Sequence, residues 1–180
     1  FLISYTVTSS STLHESCQIA KTDVGSIRSI VQNARNGELF NAFYGIPFAE
    51  PPTNELRWKA PRPSRPWIGI RDGSVQPAPC LQMGFDLNST VSGSEDCLYL
   101  NVFTSLDYCS RAEKRPVVVF IHGGAFIVGS TAAFGPDFMM EQDVVLVTVQ
   151  YRLNIFGFLT TEQAEAPGNY GMLDQVEALR

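Results

Sequence analysis

His122-Gly123-Gly124-Ala125-Phe126 follows directly on Pro116-Val117-Val118-Val119-Phe120-Ile121, an uncharged run rich in β-branched residues. A continuous apolar run of that length suits a strand covered on both faces of a parallel sheet. At its carboxyl end two glycines and a small residue let the backbone turn sharply and leave N–H groups facing open space. That geometry can hold a negatively charged oxygen. Glycine pairs after strands also make tight turns that carry no chemistry. The neighbouring sequence decides between the two.

The chain has 180 residues, 44% of them apolar and 17% charged. This leaves little polar surface for a free-standing domain, so the chain reads as part of a larger globule. It begins at Phe1 and ends within a helical pattern, with Met172, Leu173, Val176 and Leu179 at helical spacing. The expectation is an incomplete domain. A net charge of −5 without Lys/Arg clusters argues against nucleic acid or an anionic membrane surface as partner. No stretch approaches the roughly 20 apolar residues of a membrane span. The four cysteines are Cys17, Cys80, Cys97 and Cys109. No C-x-x-C pair and only two histidines make a metal site unexpected. A disulfide reading implies an oxidising compartment. The sequon Asn88-Ser89-Thr90 lies in a polar stretch between Cys80 and Cys97, where a glycan could sit, and agrees with secretion.

Residues 1–22 read as a leader, either the remnant of a secretory signal or a disordered segment. Residues 23–180 read as one unit. Val24–Val31 alternates as a strand does, Asn36-Gly37 signals a turn, and Leu39–Ile46 is the return strand of an antiparallel hairpin. Residues 47–79 hold most of the prolines together with Trp58 and Trp67, which suits an ordered, extended crossing. Leu98–Phe103, 116–122 and Asp143–Val149 are further strands. Antiparallel strands followed by buried strands with intervening loops and helices suit a mixed α/β sheet.

Six motifs stand in order: Tyr44-Gly45-Ile46-Pro47-Phe48-Ala49; Leu56-Arg57-Trp58; Ser94-Glu95-Asp96-Cys97-Leu98-Tyr99-Leu100-Asn101-Val102; residues 122–126; Tyr151-Arg152-Leu153 before Phe156-Gly157-Phe158-Leu159; and Gly168-Asn169-Tyr170-Gly171 before Asp174-Gln175. From about Val24 to Arg180 the chain resembles the amino-terminal part of a type-B, cholinesterase-like carboxylesterase. Gly135-Pro136-Asp137-Phe138-Met139-Met140, leading into Asp143–Val147, is similar to insect esterases of the juvenile hormone esterase group. The resemblance implies the α/β-hydrolase fold, truncated before the nucleophile elbow. It also implies hydrolysis of a carboxylic ester through a serine acyl-enzyme, with a Ser–Glu/Asp–His triad and no cofactor.

Carried onto this sequence, the resemblance makes the N–H groups of Gly124 and Ala125 oxyanion donors, with Gly123 permitting the turn. Alanine at 125 departs from the all-glycine version yet keeps its N–H. Losing one such donor typically costs roughly 3–4 kcal/mol of transition-state stabilisation. His122 is expected to be structural, since the family's catalytic histidine comes far downstream, and His14 has no functional case. Phe126 is expected in the pocket wall, with a core role as the alternative. No G-x-S-x-G occurs in these residues. The triad is therefore expected outside this chain.

Cys80 and Cys97 match the family's first disulfide, and Arg57 with Glu95 matches a family ion pair. Asp96 is expected to receive backbone N–H groups. Cys17 and Cys109 have no family partner: they are free or paired with each other. In cholinesterases the loop corresponding to 81–96 is longer and carries a tryptophan that holds quaternary ammonium. Here Phe85 is its only aromatic residue. The expected substrate is a small uncharged ester. A non-catalytic, neuroligin-like adhesion relative and an inactive fragment are the competing readings.

Overall fold

The computed structural model describes residues 17–84, 90–110 and 112–180. Among the described residues, ten strands form three sheets: β1 Ile19–Thr22, β2 Gly25–Arg28, β3 Ile30–Asn33, β4 Leu39–Pro47, β5 Ile70–Asp72, β6 Gln82–Met83, β7 Val91–Ser92, β8 Tyr99–Ser105, β9 Val117–Ile121 and β10 Val145–Val149. The main sheet has the order β3-β4-β8-β10-β9. Its first pairings are antiparallel, and β10 runs antiparallel to β8 but parallel to β9. A small sheet of β1, β2 and β5 lies at the amino-terminal end, and β6 pairs with β7. Two short helices follow, α1 Asn154–Phe158 and α2 Tyr170–Ala178.

The expected hairpin is present but shorter. Ile30↔Ala42 through Asn33↔Leu39 pair across it. The stretch read as one strand, Val24–Val31, breaks at Ser29 and serves two sheets. Ser29 is buried, its N–H donates to the Gln18 carbonyl, and its hydroxyl donates to Asn41 Oδ1 at 2.7 Å. That polar anchoring uses the groups that a continuous ladder would need. The stretch read as a leader, residues 1–22, contains ordered residues. Cys17 is buried and disulfide-bonded to Cys109, and β1 pairs with β2, so order extends into the stretch read as irregular. Residues 1–16, including His14, lie outside the described residues.

One core cluster packs Phe40, Ala42, Tyr44, Phe103, Met140 and Leu146 on one face of the main sheet. Phe103 meets Phe40 and Tyr44 edge-on. A second gathers Ala49, Cys80, Cys97, Leu98, Tyr151 and Leu153 around a disulfide. Between them β4 slips register against β8, and Gly45 (φ 69) turns its N–H to the buried Asn101 Oδ1 at 3.1 Å. The proline-rich crossing is pinned by its tryptophans. Trp67 Nε1 donates to the Ser26 carbonyl at 2.8 Å, and Trp58 Nε1 donates to the Ile155 carbonyl at 3.0 Å.

One expectation about burial is corrected. β9 is parallel to β10, as its composition suggests, but it is the edge strand and is not covered on both faces. Val118 and Phe120 pack on the core while Val117, Val119 and Ile121 are exposed. α2 likewise buries Tyr170, Gly171 and Asp174, and leaves Met172, Leu173, Val176 and Leu179 exposed. In both cases no described element lies against the apolar side.

Candidate active site

β9 ends at Ile121, and the chain turns through residues 122–129 before the next element. The turn closes when the Gly124 carbonyl accepts the N–H groups of Ile127 and Val128, at 3.0 and 3.1 Å. Its backbone is unusual. Gly124 has φ 123, and Ala125 and Phe126 follow with φ 55 and 61, two consecutive non-glycine residues in the left-handed region. Each such residue costs roughly 1–2 kcal/mol, so the surrounding contacts must hold them there. A Cβ at Gly124 would overlap the Val128 carbonyl, so only glycine fits. Among the described residues the N–H groups of Gly124 and Ala125 donate to no protein acceptor, and Ala125 is exposed. Two donors without a protein acceptor at a strand end can receive an anionic oxygen.

The contacts that hold the turn come from four directions. The Tyr151 hydroxyl donates to the His122 carbonyl at 2.7 Å, linking the ends of the parallel strands β9 and β10. The His122 ring stacks on Tyr151 with centroids 4.5 Å apart. The Asn154 N–H donates to the Phe126 carbonyl at 2.7 Å, while its side chain donates to the Leu81 carbonyl at 2.9 Å. The Gln82 carboxamide grips both backbone groups of Gly129, each at 2.8 Å. Phe126 is half exposed, with its ring edge-on to Tyr151 and 5.1 Å from Phe158.

His122 is 2% exposed, and its Nδ1 lies 3.0 Å from the Gly123 carbonyl. The proton therefore sits on Nδ1, and Nε2 is buried without a partner among the described residues. Burial holds the imidazole below its ordinary value, against the pull of the Gly123 carbonyl. Buried, with Nδ1 on the Gly123 carbonyl and its face on Tyr151, the ring packs as part of the turn's support.

Away from the turn, Cys80 is disulfide-bonded to Cys97, with Cα atoms 4.9 Å apart. Beside it Arg57 grips Glu95 through two bonds, Nε–Oε2 at 2.5 Å and Nη2–Oε1 at 2.6 Å. Asp96 departs from expectation: its carboxylate accepts the Tyr99 hydroxyl at 2.8 Å, a side-chain partner three residues on. Burial, and then Asp96, push that hydroxyl up to about 12. Asn88 and Phe85 lie outside the described residues. No group of three or more His, Cys, Asp or Glu that could hold a metal occurs among the described residues.

Of the two readings left open for Cys17 and Cys109, the structure has them paired with each other, across a separation of 92 residues. Three features escape the sequence reading. Arg152 and Asp174 form a buried pair, 3% and 0% exposed, with Nε–Oδ2 at 2.8 Å and Nη2–Oδ1 at 2.7 Å. The sequence marks that pair only by placing each residue in one of the ordered motifs. Gln82 and Asn154 carry no signal beyond lying near Cys80 and Tyr151 in the chain.

With this geometry in view, the relatives fall into one class. The carboxylesterase family model matches residues 16–180, and the chain belongs to that family. It is 46% identical over 162 residues to juvenile hormone esterase of Tribolium castaneum, covering 88% of this chain and 27% of that protein. Carboxylesterase 3 of Homo sapiens is 43% identical over 171 residues, covering 88% and 30%. Acylcarnitine hydrolase of Mus musculus is 40% identical over 179 residues, covering 92% and 32%. The chain thus spans about a third or less of the length of these curated relatives. Membership implies the α/β-hydrolase fold, and the mixed sheet with few helices agrees with a partial amino-terminal domain.

Proposed function

We propose that the protein containing this chain hydrolyses carboxylic esters through a serine acyl-enzyme, with Gly124 and Ala125 N–H as oxyanion donors. The observation that carries the reading is the pair of N–H groups at the end of β9, Gly124 partly exposed and Ala125 exposed, which donate to no acceptor among the described residues and lie in a turn held in left-handed backbone. Family membership supports it, as do relatives named for ester hydrolysis.

In this mechanism a serine Oγ attacks the ester carbonyl carbon as its proton passes to the triad histidine, which becomes the general acid. The carbonyl π electrons move to oxygen, and the new oxyanion accepts hydrogen bonds from residues 124 and 125. Collapse of the intermediate expels the alcohol, which takes a proton from the general acid. Water then attacks the acyl-enzyme, releases the acid and restores the serine. Residues 1–180 contain no G-x-S-x-G, so the account assigns the triad to the length that the relatives have beyond this region. Phe126 forms an apolar wall beside the donors. The short 81–96 loop without tryptophan favours small uncharged esters over choline esters. Two disulfides favour an oxidising, secreted setting, with Asn88 as a glycan acceptor. No described helix is long and apolar enough to cross a membrane.

The test is an organophosphate probe with peptide mapping. The full-length protein should hydrolyse p-nitrophenyl butyrate, prefer it to butyrylcholine, and label stoichiometrically at one serine outside residues 1–180. Labelling within residues 1–180, or no hydrolysis by a folded protein, would overturn the reading.

A further inference from the structure

Gln82 has no part in the chemistry assigned above, yet its carboxamide is engaged at both ends. Oε1 accepts the Gly129 N–H at 2.8 Å, and Nε2 donates to the carbonyls of Gly129 at 2.8 Å and Cys80 at 2.9 Å. Gly129 is where the chain leaves the turn. It has φ 128, and a Cβ there would overlap both the Gly123 carbonyl and the His122 ring. Gly129 is therefore packed against the residues that lead into Gly124 and Ala125. A shift of Gly129 cannot be absorbed by empty space, because none separates it from them.

The same short segment reaches the other side of the turn. The Leu81 carbonyl accepts Asn154 Nδ2 at 2.9 Å, and the Asn154 N–H donates to the Phe126 carbonyl. Residues 80–82 are themselves fixed. Cys80 is disulfide-bonded, and the Leu81 N–H donates to the Ser94 carbonyl at 2.9 Å. The turn is thus clamped from both flanks by a segment locked to the Cys80–Cys97 bridge.

We propose that Gln82 is a positioning residue for ester hydrolysis: by clamping Gly129 it holds the Gly124 and Ala125 N–H groups where the transition-state oxygen forms. The role rests on the functional reading above. Its logic is that donors act through placement, and an error of about 1 Å in a reacting group can cost on the order of a hundredfold in rate.

The experiment compares Gln82→Met and Gln82→Glu with wild type in the full-length protein. Methionine keeps the length and loses every polar bond. Glutamate keeps the acceptor for Gly129 N–H but turns a carboxylate oxygen toward two carbonyls. For p-nitrophenyl butyrate both variants should lose at least about tenfold in kcat, with KM within about twofold. Affinity for a trifluoromethyl ketone, whose hemiketal oxygen reports on the same donors, should fall by the factor lost in kcat/KM. Gln32→Met is the control, since Gln32 Oε1 accepts the Tyr44 hydroxyl far from the turn. It should lower Tm and leave kcat and ketone affinity unchanged. If Gln82→Met does not fold, Gln82→Glu decides. Wild-type kcat and ketone affinity in a folded Gln82 variant would overturn the positioning role while leaving the functional reading intact. A folded wild type without esterase activity would overturn both.

Discussion

Ala125 and Phe126 adopt left-handed backbone that only glycine takes without cost, and the cost is met by Asn154, Gln82 and Tyr151. Strain of this kind persists where surrounding contacts over-determine it. The two glycines beside Ala125 are not equivalent. Gly124→Ala brings a Cβ into the Val128 carbonyl, whereas a Cβ added at Gly123 meets no described atom within 4 Å beyond its chain neighbours. We expect Gly124→Ala to lower kcat at least about tenfold, because its donor must move, while Gly123→Ala folds with wild-type Tm. Paired kinetics and thermal melts check this, and equal Tm losses in both variants would contradict it. His122 makes a second residue-scale prediction. Its folded pKa is depressed below 6.5. Its contribution to stability is therefore complete above pH 6.5 and declines as pH falls below that value, because the unfolded chain binds a proton that the buried ring does not. Urea midpoints measured from pH 7.5 to 5 should fall less steeply in His122→Gln than in wild type, and parallel profiles would exclude the effect. The turn itself is legible from His122–Phe126, since an apolar run ending in glycines has few other uses. The atoms that hold it are not, because Gln82 lies 47 residues before Gly129 and carries no pattern.

At the scale of elements, what sequence reveals depends on how local the cause is. The β3–β4 hairpin is signalled by Asn36-Gly37 and by alternation on either side of it. The break at Ser29 is not, because it depends on Gln18 and Asn41, which come together only in the fold. Likewise Asp96 sits in a specific motif, but its partner Tyr99 is fixed by the local path of the chain after Cys97. The two disulfides separate stability from positioning. In the chain-entropy model a short loop such as 80–97 contributes about 3 kcal/mol and one near 100 residues about 4.7 kcal/mol. Replacing Cys17 and Cys109 by serine should therefore cost the more stability, yet leave kcat near wild type in the folded protein. Replacing Cys80 and Cys97 should cost less stability but lower kcat, because residues 80–82 clamp the turn. Denaturant midpoints and kcat measured on both pairs check this. A lower kcat in the Cys17/Cys109 variant alone would reverse the assignment.

Across the whole molecule, the 180 residues carry the proposed donors and contain no G-x-S-x-G, and the described residues expose apolar faces on β9 and α2. We expect the isolated chain to hydrolyse p-nitrophenyl butyrate no faster than a heat-inactivated sample, since donors without a nucleophile form no acyl-enzyme. Activity above that control, abolished by an organophosphate, would contradict the assignment of the triad to other residues. Family and sheet type are legible at this scale because ordered motifs mark the strand ends. Burial is not, since the apolar face of β9 reads the same whether or not anything covers it. The placement of the two N–H groups is read most directly from the structure of the full-length protein with a trifluoromethyl ketone bound to its serine. The hemiketal oxygen should lie about 2.7–3.1 Å from the backbone nitrogens of Gly124 and Ala125. A hemiketal oxygen directed to other donors, beyond hydrogen-bonding distance of both nitrogens, would contradict that placement.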